Sequence, residues 1–224
     1  MSEHNSLISR RKLAFAGIAI LGVLLLICAG DLHYWNMWLY LGTFFVAILL
    51  LGIYLYRNDQ ELLKKRLNSK ENEAEQKSYV FITSLSLFAT FTVCGLDYRF
   101  GWSHVPIAIV FLALFIMLCG YGLFVLTLLQ NRFASKTIEI QDNQRVIDTG
   151  IYSVLRHPLY TSAIIMFFAS TIVLNSFYAI IPMPFYLIGI ILRINNEEKV
   201  LCNGLEGYAD YMSKVKYRLI PYLW

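Results

Sequence analysis

Charge is scarce in this chain. Asp, Glu, Lys and Arg make up 15% of its 224 residues, against roughly 25% in an ordinary soluble domain. Proline is confined to 5 positions and cysteine to 4, namely Cys28, Cys94, Cys119 and Cys202. Three of these cysteines lie inside apolar runs, and no CxxC or Cys/His spacing suits a metal. That excludes a legible zinc site and a disulfide framework, and the cysteines read as small apolar side chains. No Lys/Arg run interleaved with aromatics is present, so the net charge of +4 does not imply a nucleic-acid partner. There is no internal repeat and no low-complexity segment.

What the chain has instead is apolar length. Hydrophobic residues reach 58% and the mean hydropathy is +0.56. Apolar runs occupy residues 13–30, 36–56, 79–97, 105–129, 158–174 and 178–194. A helix needs about 20 apolar residues to cross a bilayer, so the first four runs are long enough and the last two are short. The pattern predicts an all-α, polytopic membrane helix bundle of about six spans embedded in membrane lipids. Asn175-Ser176 marks the turn of a tight C-terminal hairpin, with Pro182 and Pro184 kinking its return arm. Residues 1–130 would hold four N-terminal helices, and residues 131–224 the region with chemistry in it. Residues 59–77 read as a solvated helix. Residues 195–224 read as an amphipathic helix on the cytoplasmic face, ending near Pro221, with Tyr217, Tyr222 and Trp224 as interfacial anchors.

Arg10-Arg11-Lys12 before the first run resembles the start of a signal peptide. The run is long, however, and Asp31-Leu32-His33-Tyr34 offers no small-x-small cleavage site, so a retained first helix is expected. Basic residues fall in alternate loops: Arg10 to Lys12; Arg57, Lys64, Lys65, Arg66, Lys70 and Lys77; Arg132, Lys136, Arg145 and Arg156; and Lys199, Lys214, Lys216 and Arg218. The other loops hold only Arg99, beside Asp31 and Asp97, which are expected at the interface. The positive-inside rule then puts both termini in the cytoplasm, the parity that six spans require.

The run from Gly150 to Tyr160, GIYSVLRHPLY, gathers Arg156, His157, Tyr152 and Tyr160 at one membrane face. Proline is favoured in the first turn of a helix, so a helix is expected to start at Pro158. The N–H groups of Leu159, Tyr160 and Thr161 would then face the cytoplasmic mouth and attract carboxylate or phosphate. The simpler account makes Arg156 a membrane anchor and His157 a cap. After the hairpin comes RINNEE, in which Arg193 and Glu197 stand at i and i+4 on one helix face. They read either as a local ion pair with a snorkelling arginine or as a substrate fork beside a ligand acceptor. Glu198, a quarter turn away, is expected in solvent.

In order, these elements resemble the catalytic half of the isoprenylcysteine carboxyl methyltransferase family. They are Gly150, Tyr152, Arg156, His157, Pro158 and Tyr160; then Arg193, Glu197, Glu198 and Leu201; then Gly204 or Gly207, Tyr208 and Tyr211; then Arg218 and Pro221. The resemblance spans about residues 131–221, and the first three helices lie outside it. It implies a membrane-embedded enzyme that uses S-adenosyl-L-methionine without a Rossmann domain. Carried over by position, Gln144, Arg145, Val146, Ile147, Tyr152, His157, Pro158, Leu159 and Tyr160 would line the cofactor pocket. Glu197 would face the cofactor and Arg193 the substrate, the two acting as the catalytic pair. The chain departs from the family at Gln144, where histidine is common, and at Ile151, where proline is. Gln144 keeps one donor and one acceptor for a ligand.

The expected reaction is transfer of a methyl group to a lipophilic, lipid-like substrate, on a carboxylate such as that of a prenylated cysteine. A carboxylate is ionised at neutral pH and needs no general base, whereas an amine acceptor would call on Glu197 or His157. Rival expectations are a phospholipid N-methyltransferase, a sterol-reductase-like enzyme using a nicotinamide cofactor, and a transporter or assembly factor without catalysis.

Overall fold

The computed structural model describes the backbone of residues 2–67, 74–134, 140–141 and 143–224, and their side chains from residue 16 onward except 74 and 75. Side chains of Arg10, Arg11 and Lys12, and the whole of Lys70 and Lys136, used above for orientation, lie outside the described residues. The described chain is helical and contains no strand. Its helices are α1 (Ser2–Ala29), α2 (Trp35–Asn58), α3 (Gln60–Leu67), α4 (Ala74–Phe100), α5 (Ile107–Gln130), α6 (Pro158–Val173), α7 (Met183–Gly204) and α8 (Tyr208–Lys214). Short 3₁₀ turns cover Gly150–Ser153 and Tyr178–Ile180.

Four segments are long and apolar enough to cross a membrane: Trp35–Asn58, Gln76–Phe100, Ile107–Gln130 and Tyr178–Gly204. Ala16–Ala29 and Pro158–Val173 are shorter apolar helices. The helices alternate in direction. The end of α1, the start of α2 and the ends of α4 and α6 meet in one core around Ala29, Tyr34, Cys94 and Val173. The end of α2, with α3 and the end of α5, forms a second core around Leu55, Leu62, Leu63 and Leu128.

The brevity of α6 has a physical basis. A helix end leaves carbonyls without intrahelical partners. At this one, Asn36 Nδ2 donates to the Val173 carbonyl at 2.9 Å and the Tyr34 hydroxyl donates to that of Leu174. The helix therefore stops inside the protein. Asn175 then turns the chain with φ of 60°, and its Oδ1 accepts from Val105 N–H at 2.8 Å. Asp97 locks the same end. It is fully buried rather than interfacial and accepts from the Ser103 and Ser176 hydroxyls, both at 2.5 Å.

Close helix approaches are set by small residues, as in other membrane bundles. A Cβ on Gly95 of α4 would lie 2.5 Å from Cys28 Cβ and 3.2 Å from the backbone of Ala29 and Leu25 in α1. Gly120 of α5 meets Ile165 and Met166 of α6 in the same way, so it is a packing glycine. Overpacking of this kind costs about 1–3 kcal/mol. Gly95→Val is accordingly expected to lower thermal stability in detergent, whereas Gly122→Val, with nothing within 4 Å of its Cβ, leaves the melting temperature unchanged on that account.

Four expectations need correction. The C-terminal hairpin is not a close-packed helix pair: the backbone of α6 runs against α5 and that of α7 against α4, and α6 meets α7 through long side chains such as Phe167 on Tyr186. Pro182 and Pro184 do not kink α7; Pro182 is its N-cap and Pro184 sits in its first turn, where the missing N–H costs nothing. The last stretch is not one helix, because the chain breaks at Leu205 and restarts after Gly207, which has φ of 79°. Residues 60–67 are not merely solvated, since Leu62 and Leu63 are buried; residues 68–73 lie outside the described residues.

Candidate active site

A cavity of about 530 Å³ opens between α6 and α7, bounded also by α3, α4, the end of α5, the segment before α6 and α8. Small-molecule sites typically measure about 300–1,000 Å³. Every residue that the resemblance assigns to cofactor or substrate lines this cavity: Gln144, Arg145, Val146, Ile147, Tyr152, His157, Pro158, Leu159, Tyr160, Arg193 and Glu197; Gly150, Glu198, Arg218 and Pro221 do not. The wall continues along Val80, Thr83 and Leu87 of α4 and Tyr186 and Ile190 of α7, so a polar end passes into an apolar one.

The polar end is built on two carboxylates one residue apart. Glu197 is half-buried and accepts from the Tyr160 hydroxyl at 2.7 Å. That hydroxyl in turn accepts from Arg193 Nε at 2.9 Å. The i, i+4 pair is thus joined through a tyrosine from the other arm of the hairpin, which orients both groups at the cavity surface.

Glu198 overturns the expectation of a solvated side chain. It is 4% exposed. Its Oε1 lies 2.8 Å from Arg156 Nε and 3.2 Å from His157 Nε2, and its Oε2 lies 2.7 Å from Arg218 Nη2. The C-terminal tail brings Arg218 there. Arg156 N–H donates to the Tyr217 carbonyl at 2.9 Å and His157 N–H to that of Arg218 at 3.0 Å. Thr161 Oγ1 donates to the Leu219 carbonyl at 2.8 Å. Glu198 therefore holds the segment before α6 against the tail. The N-terminus of α6 is also less open than expected: the N–H groups of Tyr160 and Thr161 both donate to the His157 carbonyl.

Tyrosines from two other elements complete the wall. The Tyr211 hydroxyl donates to the Tyr152 carbonyl at 2.7 Å, and Asn131 Nδ2 donates to the Tyr152 hydroxyl at 3.1 Å. Burial pushes the Tyr152 phenol up to about 12 and raises Tyr208 and Tyr211 as well. All three stay neutral at physiological pH, as aromatic faces and hydrogen-bonding hydroxyls. Gln144 spends its Oε1 on Gln141 N–H at 2.9 Å, so its amide N–H₂ is the part left to meet a ligand.

Some lining residues escaped the sequence reading, among them Arg66, Phe124, Asn131 and Phe133. Arg66 had a legible signal. It stands four residues after Leu62 and three after Leu63, on the face that those leucines bury.

The architecture is all-helical among the described residues, with four segments long and apolar enough to cross a membrane and a cavity of about 530 Å³ that gathers the polar groups above. Comparison with known families adds one finding: the sequence model of the isoprenylcysteine carboxyl methyltransferase (ICMT) family matches residues 108–203, less than half of the chain. The match begins within α5 and ends before Tyr208. No curated protein matches the chain.

Proposed function

We propose that the cavity is the active site of an S-adenosyl-L-methionine-dependent methyltransferase that esterifies the carboxylate of a lipid-like substrate, of which a prenylated cysteine is the family's example. The observation that carries this reading is the convergence of the Arg193–Tyr160–Glu197 relay on a cavity that is polar at one end and apolar along α4 and α7.

The donor set suits the cofactor. Glu197 offers an acceptor for its ribose hydroxyls or ammonium group, and Gln144 offers an amide donor. Tyr152, Tyr208 and Tyr211 offer ring faces of the kind that attract cations. Val146, Ile147, Leu159 and Pro158 suit the adenine. His157 carries its Glu198-fixed ring to the same wall. When bound, the cofactor supplies an electrophilic methyl group. Arg193 aims the substrate carboxylate with its guanidinium, and Tyr160 fixes Arg193. The apolar wall excludes water, and orientation with dehydration provides the rate. No side chain has to remove a proton, because the carboxylate is already ionised. The reading includes six crossings, both termini in the cytoplasm and the site on the cytoplasmic side.

The test is the chemistry of the product. Membranes containing the protein are incubated with S-adenosyl-L-methionine labelled in its methyl group, and the lipids are extracted. Label released as methanol by mild base marks an ester and is the expected result. Base-stable label marks an N-methylated amine and overturns the carboxylate assignment.

A further inference from the structure

The end of α5 holds the turn that carries Tyr152. Gln130, the last residue of α5, accepts from Ile151 N–H at 2.9 Å through its Oε1. The turn leaves room for that contact: Gly150 has φ of 60°, and a Cβ there would lie 2.6 Å from the Gln130 amide. Asn131, the next residue, lines the cavity itself. Its Oδ1 accepts from Phe133 N–H at 2.9 Å. An amide oxygen engaged by a backbone donor turns the other end of the amide, Nδ2, the opposite way, and Nδ2 donates to the Tyr152 hydroxyl at 3.1 Å.

That contact decides what the tyrosine offers. An amide N–H₂ only donates, so the phenol oxygen is the acceptor and its own proton points elsewhere. Burial keeps the phenol neutral at physiological pH, so the proton is present. Tyr152 is 7% exposed and lines the cavity. Among the described residues, none accepts from its hydroxyl. A buried O–H without an acceptor is costly, and a ligand that supplies one removes the cost.

We infer that Asn131 is a positioning residue that engages the Tyr152 oxygen and so commits the Tyr152 proton to an acceptor atom of the bound adenosyl cofactor. The inference rests on reading the cavity as the cofactor site. Two isolated changes separate this role from a structural one. Asn131→Asp keeps the shape and the bond to Phe133 N–H but turns the donor into an acceptor, which draws the Tyr152 proton away from the cavity. Asn131→Ala deletes the side chain and leaves the proton free to turn. A role confined to capping α5 makes the deletion the worse variant; the positioning role makes the isosteric Asp the worse.

The experiment measures binding of S-adenosylhomocysteine and 5′-methylthioadenosine by calorimetry in detergent. The proteins are the wild type, Asn131→Ala, Asn131→Asp, Tyr152→Phe and the double variant Asn131→Asp with Tyr152→Phe. Tyr152→Phe is expected to weaken S-adenosylhomocysteine binding by about three- to tenfold, the size of one hydrogen bond. Asn131→Asp is expected to weaken it at least as much, and Asn131→Ala less. With Phe at 152 no proton is left to misdirect, so Asn131→Asp is expected to cost clearly less there than in the wild type, its added charge being the same in both. A loss shared by 5′-methylthioadenosine places the acceptor on the nucleoside, and a loss confined to S-adenosylhomocysteine places it on the amino-acid part; either sustains the inference. Wild-type affinity in Tyr152→Phe, or an equal Asn131→Asp effect in both backgrounds, overturns the inference and leaves the cofactor reading in place. A wild type that melts cooperatively and binds neither ligand removes the cofactor reading and the inference together.

Discussion

Arg193→Ala is expected to lower methyl transfer by about 100-fold or more, the usual cost of losing a group that orients reacting atoms. The same variant is expected to bind S-adenosylhomocysteine as the wild type does. The geometry accounts for the split. Arg193 donates its Nε to the Tyr160 hydroxyl, and that hydroxyl donates onward to Glu197. Deleting Arg193 removes a donor from the relay but leaves the Tyr160–Glu197 bond intact, so the acceptor assigned to the cofactor keeps its position. Arg193→Lys keeps the charge and loses the planar fork, and an intermediate rate follows. Turnover under saturating cofactor, with calorimetry on the same preparations, checks both halves. A parallel fall in cofactor affinity would show instead that Arg193 belongs to the cofactor's side of the cavity.

Glu198→Ala is expected to act on stability rather than on one step of the reaction. It removes the partner shared by Arg156, His157 and Arg218, of which Arg156 and His157 are themselves buried. Breaking a buried ion pair from one side costs roughly 3–5 kcal/mol, because the remaining charge stays in a medium that solvates it poorly. The C-terminal tail should detach with it, since Arg218 is also held over the Trp224 ring at 5.0 Å. Thermal unfolding in detergent and limited proteolysis of the tail check this: an earlier melt and faster cleavage after residue 215 are expected. A variant with wild-type melting and an intact tail would mean that these three side chains find other partners. Glu197→Gln makes the contrast, because Glu197 is half-buried with Tyr160 as its hydrogen-bonded partner, and it should melt close to the wild type.

These neighbouring glutamates mark where sequence reasoning stops. The i, i+4 spacing correctly put Arg193 and Glu197 on one face, because helix geometry alone decides that. The same geometry turned Glu198 away from them and toward solvent. What it turned toward was the tail, whose Arg218 comes back to it from beyond α8, and no local period reports that approach. Three of the long apolar segments were legible because length and composition decide them, and the GIYSVLRHPLY run because Pro158 starts a helix wherever the fold puts it; the fourth, Tyr178–Gly204, read as a short run because its helix continues through the polar RINNEE stretch, while the first run counts only Ala16–Ala29 among the described residues. The shortness of α6 was legible as well, from its apolar run over residues 158–174. The helix partners were not, because the pairing of α6 with α5 depends on glycine contacts such as Gly120 on Ile165 and Met166. Arg66 was readable in principle from the buried face of α3, but three consecutive basic residues, Lys64 to Arg66, suit membrane orientation equally well.

The most direct measurement is calorimetric binding of S-adenosylhomocysteine to the detergent-purified protein, with Glu197→Gln titrated alongside. This substitution keeps the shape of the side chain and removes the charge that the cavity offers to hydroxyl and ammonium donors. The account predicts micromolar binding by the wild type, in the usual range for a cofactor product, and a loss of about tenfold or more in the variant. No binding by wild-type protein that melts cooperatively would contradict it, and would leave a cavity that serves another ligand.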